Sequence, residues 1–125
     1  MGTMKFREKI LKTGTKIFLG RNAKNNDELV KKYKGKSNTI LHTAAPGSPF
    51  CVIDSEKPLK KEVYEAAVAC ASKSQDWRDN KSDIRVHRFI GKDVKKGWFT
   101  KTGTWKVKKL RVVKAKKLDI KKFKW

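Results

Sequence analysis

Acidic residues are scarce in this sequence: 12 Asp and Glu stand against 33 Lys and Arg over 125 residues, a formal net charge of +21. Self-repulsion on that scale works against a compact fold unless a polyanion neutralises it. No apolar run approaches the roughly 18 residues that a membrane-spanning helix needs, which excludes an integral membrane protein. The N-terminus "MGTMKFREKILKTG" places charges among its apolar residues, unlike a secretory signal. Gly2 is followed by no Ser or Thr where a myristoylation signal wants one. The cytoplasm is the compartment these absences predict. Cysteine and histidine number two each, with no CxxC or Cys-His spacing to suggest zinc. Cys51 and Cys70 lie among small or apolar neighbours and read as core thiols. No cofactor and no metal is implied.

Apolar residues make up 38% of the chain and are patterned, so a folded basic domain is expected rather than a disordered tail. One domain over residues 1–125 fits the length. Residues 5–12 read as an arm or first edge strand, and "TKIFLG" as a short strand ending at Gly20. After a loop over 21–25, Asn26 reads as the N-cap of a short helix, with Asp27 and Glu28 in its first turn. "TILHT" and "FCVID" read as strands around a loop over 44–49, where Pro46-Gly47 and Pro49 deny ladder hydrogen bonds. The longest helix is predicted over 58–74, with Pro58 at its first position and Leu59, Val63, Ala66, Ala67 and Cys70 as its apolar stripe. Residues 74–83 read as a polar loop, "IRVHRFI" as a strand, and "TWKVKKLRVV" as a strand with a bulge near Lys108-Lys109. The tail "KLDIKKFKW" reads as a last edge strand. The class is α+β (mixed α/β): a mixed sheet of about five to seven strands with one long and one short helix.

In "FLGRNAKNNDEL", Gly20, Asn22, Asn26 and Asp27 have sufficient structural reasons to be there, whereas Arg21 and Lys24 do not. A strand end followed by Gly and Arg before a helix N-terminus suits a phosphate, and the Arg21 fork matches its oxygens. The acidic pair 27–28 weighs against a phosphate seated squarely on that helix end. His42 lies mid-strand with no nucleophile beside it, which favours a hydrogen-bonded structural role over catalysis. No catalytic residue is assigned. Lys73 ends the long helix, and Trp77-Arg78 offer an aromatic and a guanidinium that stack on unpaired bases. A Trp77 folded back onto the core is the alternative. From Gly91 to Trp125 fourteen Lys or Arg face two Asp, a net +12, with five aromatics interleaved. Arg85, Lys92, Lys95, Lys96, Lys101, Lys108 and Lys109 are therefore candidates for a phosphate-tracking surface.

The motifs "FLGRNAKNNDEL", "ILH" followed by "PGSP", "EAAVACASKS", and "DV-KK" with "GTWKV" cover residues 14–113 in order and spacing. They resemble the NFACT-R domain, the RNA-binding module of the fibronectin-binding-A-like and nuclear-export-mediator-like proteins of ribosome quality control. The resemblance implies the small stand-alone form and RNA binding without catalysis, with tRNA or rRNA, and through it the ribosome, as partners. It also marks His42 as a characteristic position that orients the Pro46-Gly47 loop or touches RNA. An RNA-processing or RNA-modifying enzyme remains one alternative. A polybasic protein docking on acidic partners or a membrane surface is the other. Oligomeric state is not legible in the sequence.

Overall fold

Alternation decides how the strands are used. In "KIFL" Ile17 and Leu19 point one way and Phe18 the other, and "CVI" and "TILHT" repeat that two-sided pattern. A strand apolar on both faces needs cover on both, so helices are expected above and below the sheet. The computed structural model, which describes residues 5–95 and 106–125, has that arrangement. The chain runs β1 (Arg7–Ile10), β2 (Lys16–Leu19), α1 (Ala23–Tyr33), β3 (Thr39–Thr43), β4 (Cys51–Ile53), α2 (Lys60–Ser72) and α3 (Gln75–Asn80). It continues with β5 (Ile84–Ile90), a 3₁₀ turn (Gly91–Asp93), β6 (Val94–Lys95), β7 (Lys106–Val107), β8 (Arg111–Ala115) and α4 (Lys117–Lys122). Six strands form one sheet in the order β1-β2-β4-β3-β5-β8, and β6 pairs with β7 apart from it. Every pairing is antiparallel. The α+β class expected from the sequence is the class observed.

One face of the sheet is covered by α2, whose Val63, Ala66, Ala67 and Cys70 pack with Ile17, Leu19, Leu41, Ile53, Ile84 and Val86. Alanines at the contact let helix and sheet approach closely. Both thiols are buried there, and burial pushes Cys70 up to about 12. The other face is covered by α1, through Leu29, Val30 and Tyr33 against Ile40, Phe50, Val52 and Phe89. That cover stops short: His42 and His87, opposite each other on β3 and β5, and the exposed Val112 of β8 continue this face beyond the helix.

Several expectations are corrected. Helix α1 begins at Ala23, because Asn22 rather than Asn26 is its N-cap, accepting from the Asn25 N–H at 2.8 Å. Asp27 therefore sits beyond the first turn, which carries no acid. Pro58 precedes the N-cap Leu59 of α2, and Leu59 is exposed rather than part of the stripe. Residues 74–83 are not all loop: Ser74 caps α3 by accepting from the Trp77 N–H. The region of the expected bulge is a break instead. β7 and β8 belong to different sheets, and Val113 and Ala115, not Leu110 and Val112, face the core. The tail forms α4, not an edge strand, with Ile120 buried against α2's side of the sheet.

One carboxylate ties the β1–β2 turn to α2. Glu62 accepts from the Thr13 hydroxyl and, at 2.8 Å, from the Leu59 N–H. These bonds, the Thr13 hydroxyl first and then Thr15, hold its carboxyl at about 2 instead of 4.5. A depressed carboxylate stabilises the fold above its unfolded value and loses that contribution as pH falls through its folded one. Glu62→Gln should therefore melt below the wild type at pH 5. The difference should close between pH 4.5 and about 2, as followed by thermal melts.

Candidate nucleic-acid interface

The open end of the sheet face is the floor of a cleft of about 720 Å³. Its walls come from the β2–α1 junction (Gly20, Arg21, Asn22, Ala23, Asn26), the β3–β4 loop (Pro46, Gly47, Ser48, Pro49) and the end of α2 with α3 (Lys73, Arg78). Arg7 of β1 enters from the side, and Val107 and Leu110 reach it from the β7–β8 region. Segments far apart in sequence meet here because β2, β4, β3 and β5 are neighbours in the sheet.

Gly20 is needed for close approach. A Cβ there would lie 1.8 Å from Asn26 Oδ1 and 2.8 Å from Asn26 Cα, so α1 could not seat against β2. The buried Asn26 Oδ1 accepts from the Phe50 N–H at 3.0 Å and thereby joins α1 to the start of β4. Asn25 accepts from the Arg21 N–H at 2.9 Å and shapes the turn that presents the guanidinium. Gly47 adopts φ +89, and its carbonyl accepts from the Gln75 N–H at 2.8 Å, fixing the Pro46-Gly47 loop against α3. The structural motif of the sequence is thus a single junction between helix α1, the β3–β4 loop and α3.

The cleft's charge is one-sided. Arg7, Arg21, Lys73 and Arg78 line it, and no Asp or Glu does among the described residues. Ion pairs Lys16–Glu8 and Lys31–Asp27 use none of these cations. Burial lowers Lys73, and the neighbouring charge of Arg7 lowers it further. Both cations also flank the Trp125 ring, at 5.0 Å for Lys73 Nζ and 5.7 Å for the Arg7 guanidinium carbon. Trp125 is fixed by its indole N–H, which donates to the Ser72 hydroxyl at 3.0 Å. Like charges gathered without a counter-ion form a receptor for an anion.

The floor is aromatic. His42 lies 4.4 Å from Phe50, centroid to centroid, and Phe50 meets Phe89 edge-on at 6.5 Å. His42 Nδ1 lies 2.7 Å from the Thr43 carbonyl. Burial foremost, with His87 adding to it and the Thr43 carbonyl opposing it, lowers the His42 pKa.

Of the candidate residues, Arg21, His42, Lys73 and Arg78 converge on the cleft with Gly20, Asn22, Asn26, Pro46 and Gly47. Lys24 is exposed on α1 outside it, and Arg85 lies beyond His87 on the same open face, opposite Lys114. Lys95, Lys108 and Lys109 are exposed around β6 and β7. Lys92 lines a separate hollow with Asp54 and Glu56. Lys96 and Lys101 lie outside the described residues. Trp77 is 9% exposed and packs in the core with Lys81 Nζ 4.8 Å over its ring, so it offers no face for base stacking. Sequence reasoning missed Arg7, His87 and Trp125. The alternation of "IRVHRFI" put His87 on a defined face, but nothing local revealed that His42 stands beside it.

Residues 5–109 match the family described as the NFACT protein RNA binding domain. The chain belongs to this family. The NFACT-R match takes in every described residue of the cleft except Leu110. The archaeal Rqc2 homolog aRqcH of Methanocaldococcus jannaschii is 27% identical over 101 residues, covering 76% of this chain and 15% of that protein. The C-terminal structure of the fibronectin/fibrinogen-binding protein from Streptococcus suis shares the fold, with a TM-score of 0.83 at 22% identity. That likeness covers 100% of this chain and 51% of the solved one. The NFACT-R chain thus spans about 15% of the length of its curated relative and about half of the solved structure. Among its described residues no helix is long and apolar enough to cross a membrane, and no group of three metal-ligating side chains forms.

Proposed function

We propose that this NFACT-R domain binds structured RNA, tRNA or rRNA, chiefly by neutralising phosphates, and that it serves translation or ribosome quality control. The observation that carries the reading is the acid-free cleft with four cations in a chain of net charge +21. Family membership supports RNA as the polyanion, and the similarity to an Rqc2 homolog supports the ribosomal setting. The N-terminus of α1 strengthens the case, since its first turn holds no acid and Arg21, Asn22 and Ala23 all line the cleft. Lysines around β6 and β7 extend the positive surface and recognise backbone rather than base edges.

Engagement of about six phosphates predicts that log K falls against log salt with a slope of roughly −5 on duplex-like RNA. Fluorescence polarisation with a labelled tRNA over a salt series measures it. A flat response would remove phosphate neutralisation as the source of affinity.

A further inference from the structure

A surface that only tracks phosphates has no need of a hollow with an aromatic floor. A duplex turns its backbone outward and keeps its bases stacked inside, out of reach of such a floor. Here cations ring an opening whose base is His42 on Phe50, with His87 alongside. The volume, about 720 Å³, falls within the range of roughly 300–1,000 Å³ typical of small-ligand sites. The lining also changes character with depth. Arg21 is exposed at the rim, whereas Phe50 and Phe89 are buried. An anionic group with a flat apolar appendage matches that order, and an unstacked nucleotide is such a group.

We propose that the cleft receives one unpaired nucleotide of the bound RNA, with its phosphate among the rim cations and its base against the half-buried His42 and His87 rings, beneath which Phe50 is buried. The proposal rests on the RNA-binding reading and adds to it a preference for bulged or looped sites over uninterrupted duplex. Arg21 reaches the phosphate from the α1 side, while Arg7, Lys73 and Arg78 flank it from the other. Arg78 is held for this role: its guanidinium donates to Gln75 Oε1 at 3.0 Å and to the Lys73 carbonyl at 3.4 Å. Trp125, 40% exposed and adjoining Arg7 and Lys73, offers a second stacking face just outside the cleft for the next base.

Ala23 permits a test that leaves charge alone. It is exposed, opens α1 and lines the cleft, so Ala23→Trp plugs the hollow without removing a cation or a core contact. Binding is measured for a blunt 14-base-pair RNA duplex and for the same duplex carrying one bulged adenosine. The wild type should hold the bulged duplex about tenfold tighter, and in Ala23→Trp the ratio of the two affinities should fall to about one. Adenosine 5′-monophosphate should displace the bulged RNA from the wild type at concentrations where inorganic phosphate does not. His87→Ala, a change on the open sheet face, should reduce the same preference and guards against a plug that misfolds. Equal affinity for both duplexes, or a preference that survives both substitutions, overturns the nucleotide site while RNA binding stands. Failure to bind either duplex overturns the RNA-binding reading itself.

Discussion

Changing Arg7, Arg21, Lys73 and Arg78 together to Gln is expected to lower RNA affinity about a hundredfold at moderate salt. Hydrogen bonds to charged groups contribute roughly 1.5–3 kcal/mol each, and exposure to salt reduces that. Even about 0.7 kcal/mol apiece accumulates to about 2.8 kcal/mol, which is two decades in affinity. The salt slope should become shallower, since phosphates that the cleft neutralised then keep their counterions. The fold should survive, because these four line one cleft without an acidic partner among the described residues, and removing like charges relieves repulsion. The comparison that matters is an equal loss of charge elsewhere. Gln at Lys92, Lys95, Lys108 and Lys109 should cost less than a tenth as much affinity, since these side chains lie outside the cleft. Polarisation titrations of both sets against one RNA decide it. Equal losses would mean that affinity follows net charge alone and that the cleft has no privileged share.

The second large effect concerns stability. Gly20→Ala should cost about 2–4 kcal/mol and lower the melting temperature by roughly 10 °C. The added carbon would meet both the carboxamide and the Cα of Asn26, so rotation of one side chain does not relieve it. Helix α1 must move off β2, and the buried Phe50 N–H then loses its acceptor at Asn26 Oδ1. An unsatisfied buried donor costs about 1–3 kcal/mol by itself. Calorimetry gives the stability change, and the RNA titration gives a second readout. Arg21 follows Gly20 directly, so affinity should fall along with the melting temperature. A melting temperature within 2 °C of the wild type would show that the α1–β2 contact yields more easily than its geometry states.

What could be read from the sequence follows from the range of the interactions concerned. Strands β2 to β5 and the long helix α2 are legible because their apolar spacing is local. The chemistry of "FLGRNAKNNDEL" was also legible, but its phase was not. Asn22 and Asn26 are both good caps, and the choice falls to Asn22 because Asn26 is engaged 24 residues away, at Phe50. The tail misled for a similar reason. "KLDIKK" alternates weakly, yet one apolar residue, Ile120, suffices to dock a short helix once the Tyr64 hydroxyl binds Asp119 and accepts from the Lys116 N–H. Trp77 looked exposed because its neighbours are polar, although a helical turn capped by Ser74 rotates the ring inward. The cleft itself is assembled by strand order. Arg21, His42, Lys73 and Arg78 carried individual signals, and their convergence is a property of the sheet.

The two ends of that sheet carry a consequence of another kind. Among the described residues β1 and β8 each have a single strand neighbour, and Arg7, Lys9, Arg111 and Lys114 stud them. Charge on an open edge keeps one copy from pairing its backbone with the next. Without a polyanion the same lysines and arginines should therefore hold copies apart, which light scattering over a salt series would check. A mixture at charge balance forfeits that protection, whereas an excess of either component restores it. Order of mixing thus governs whether the complex stays in solution.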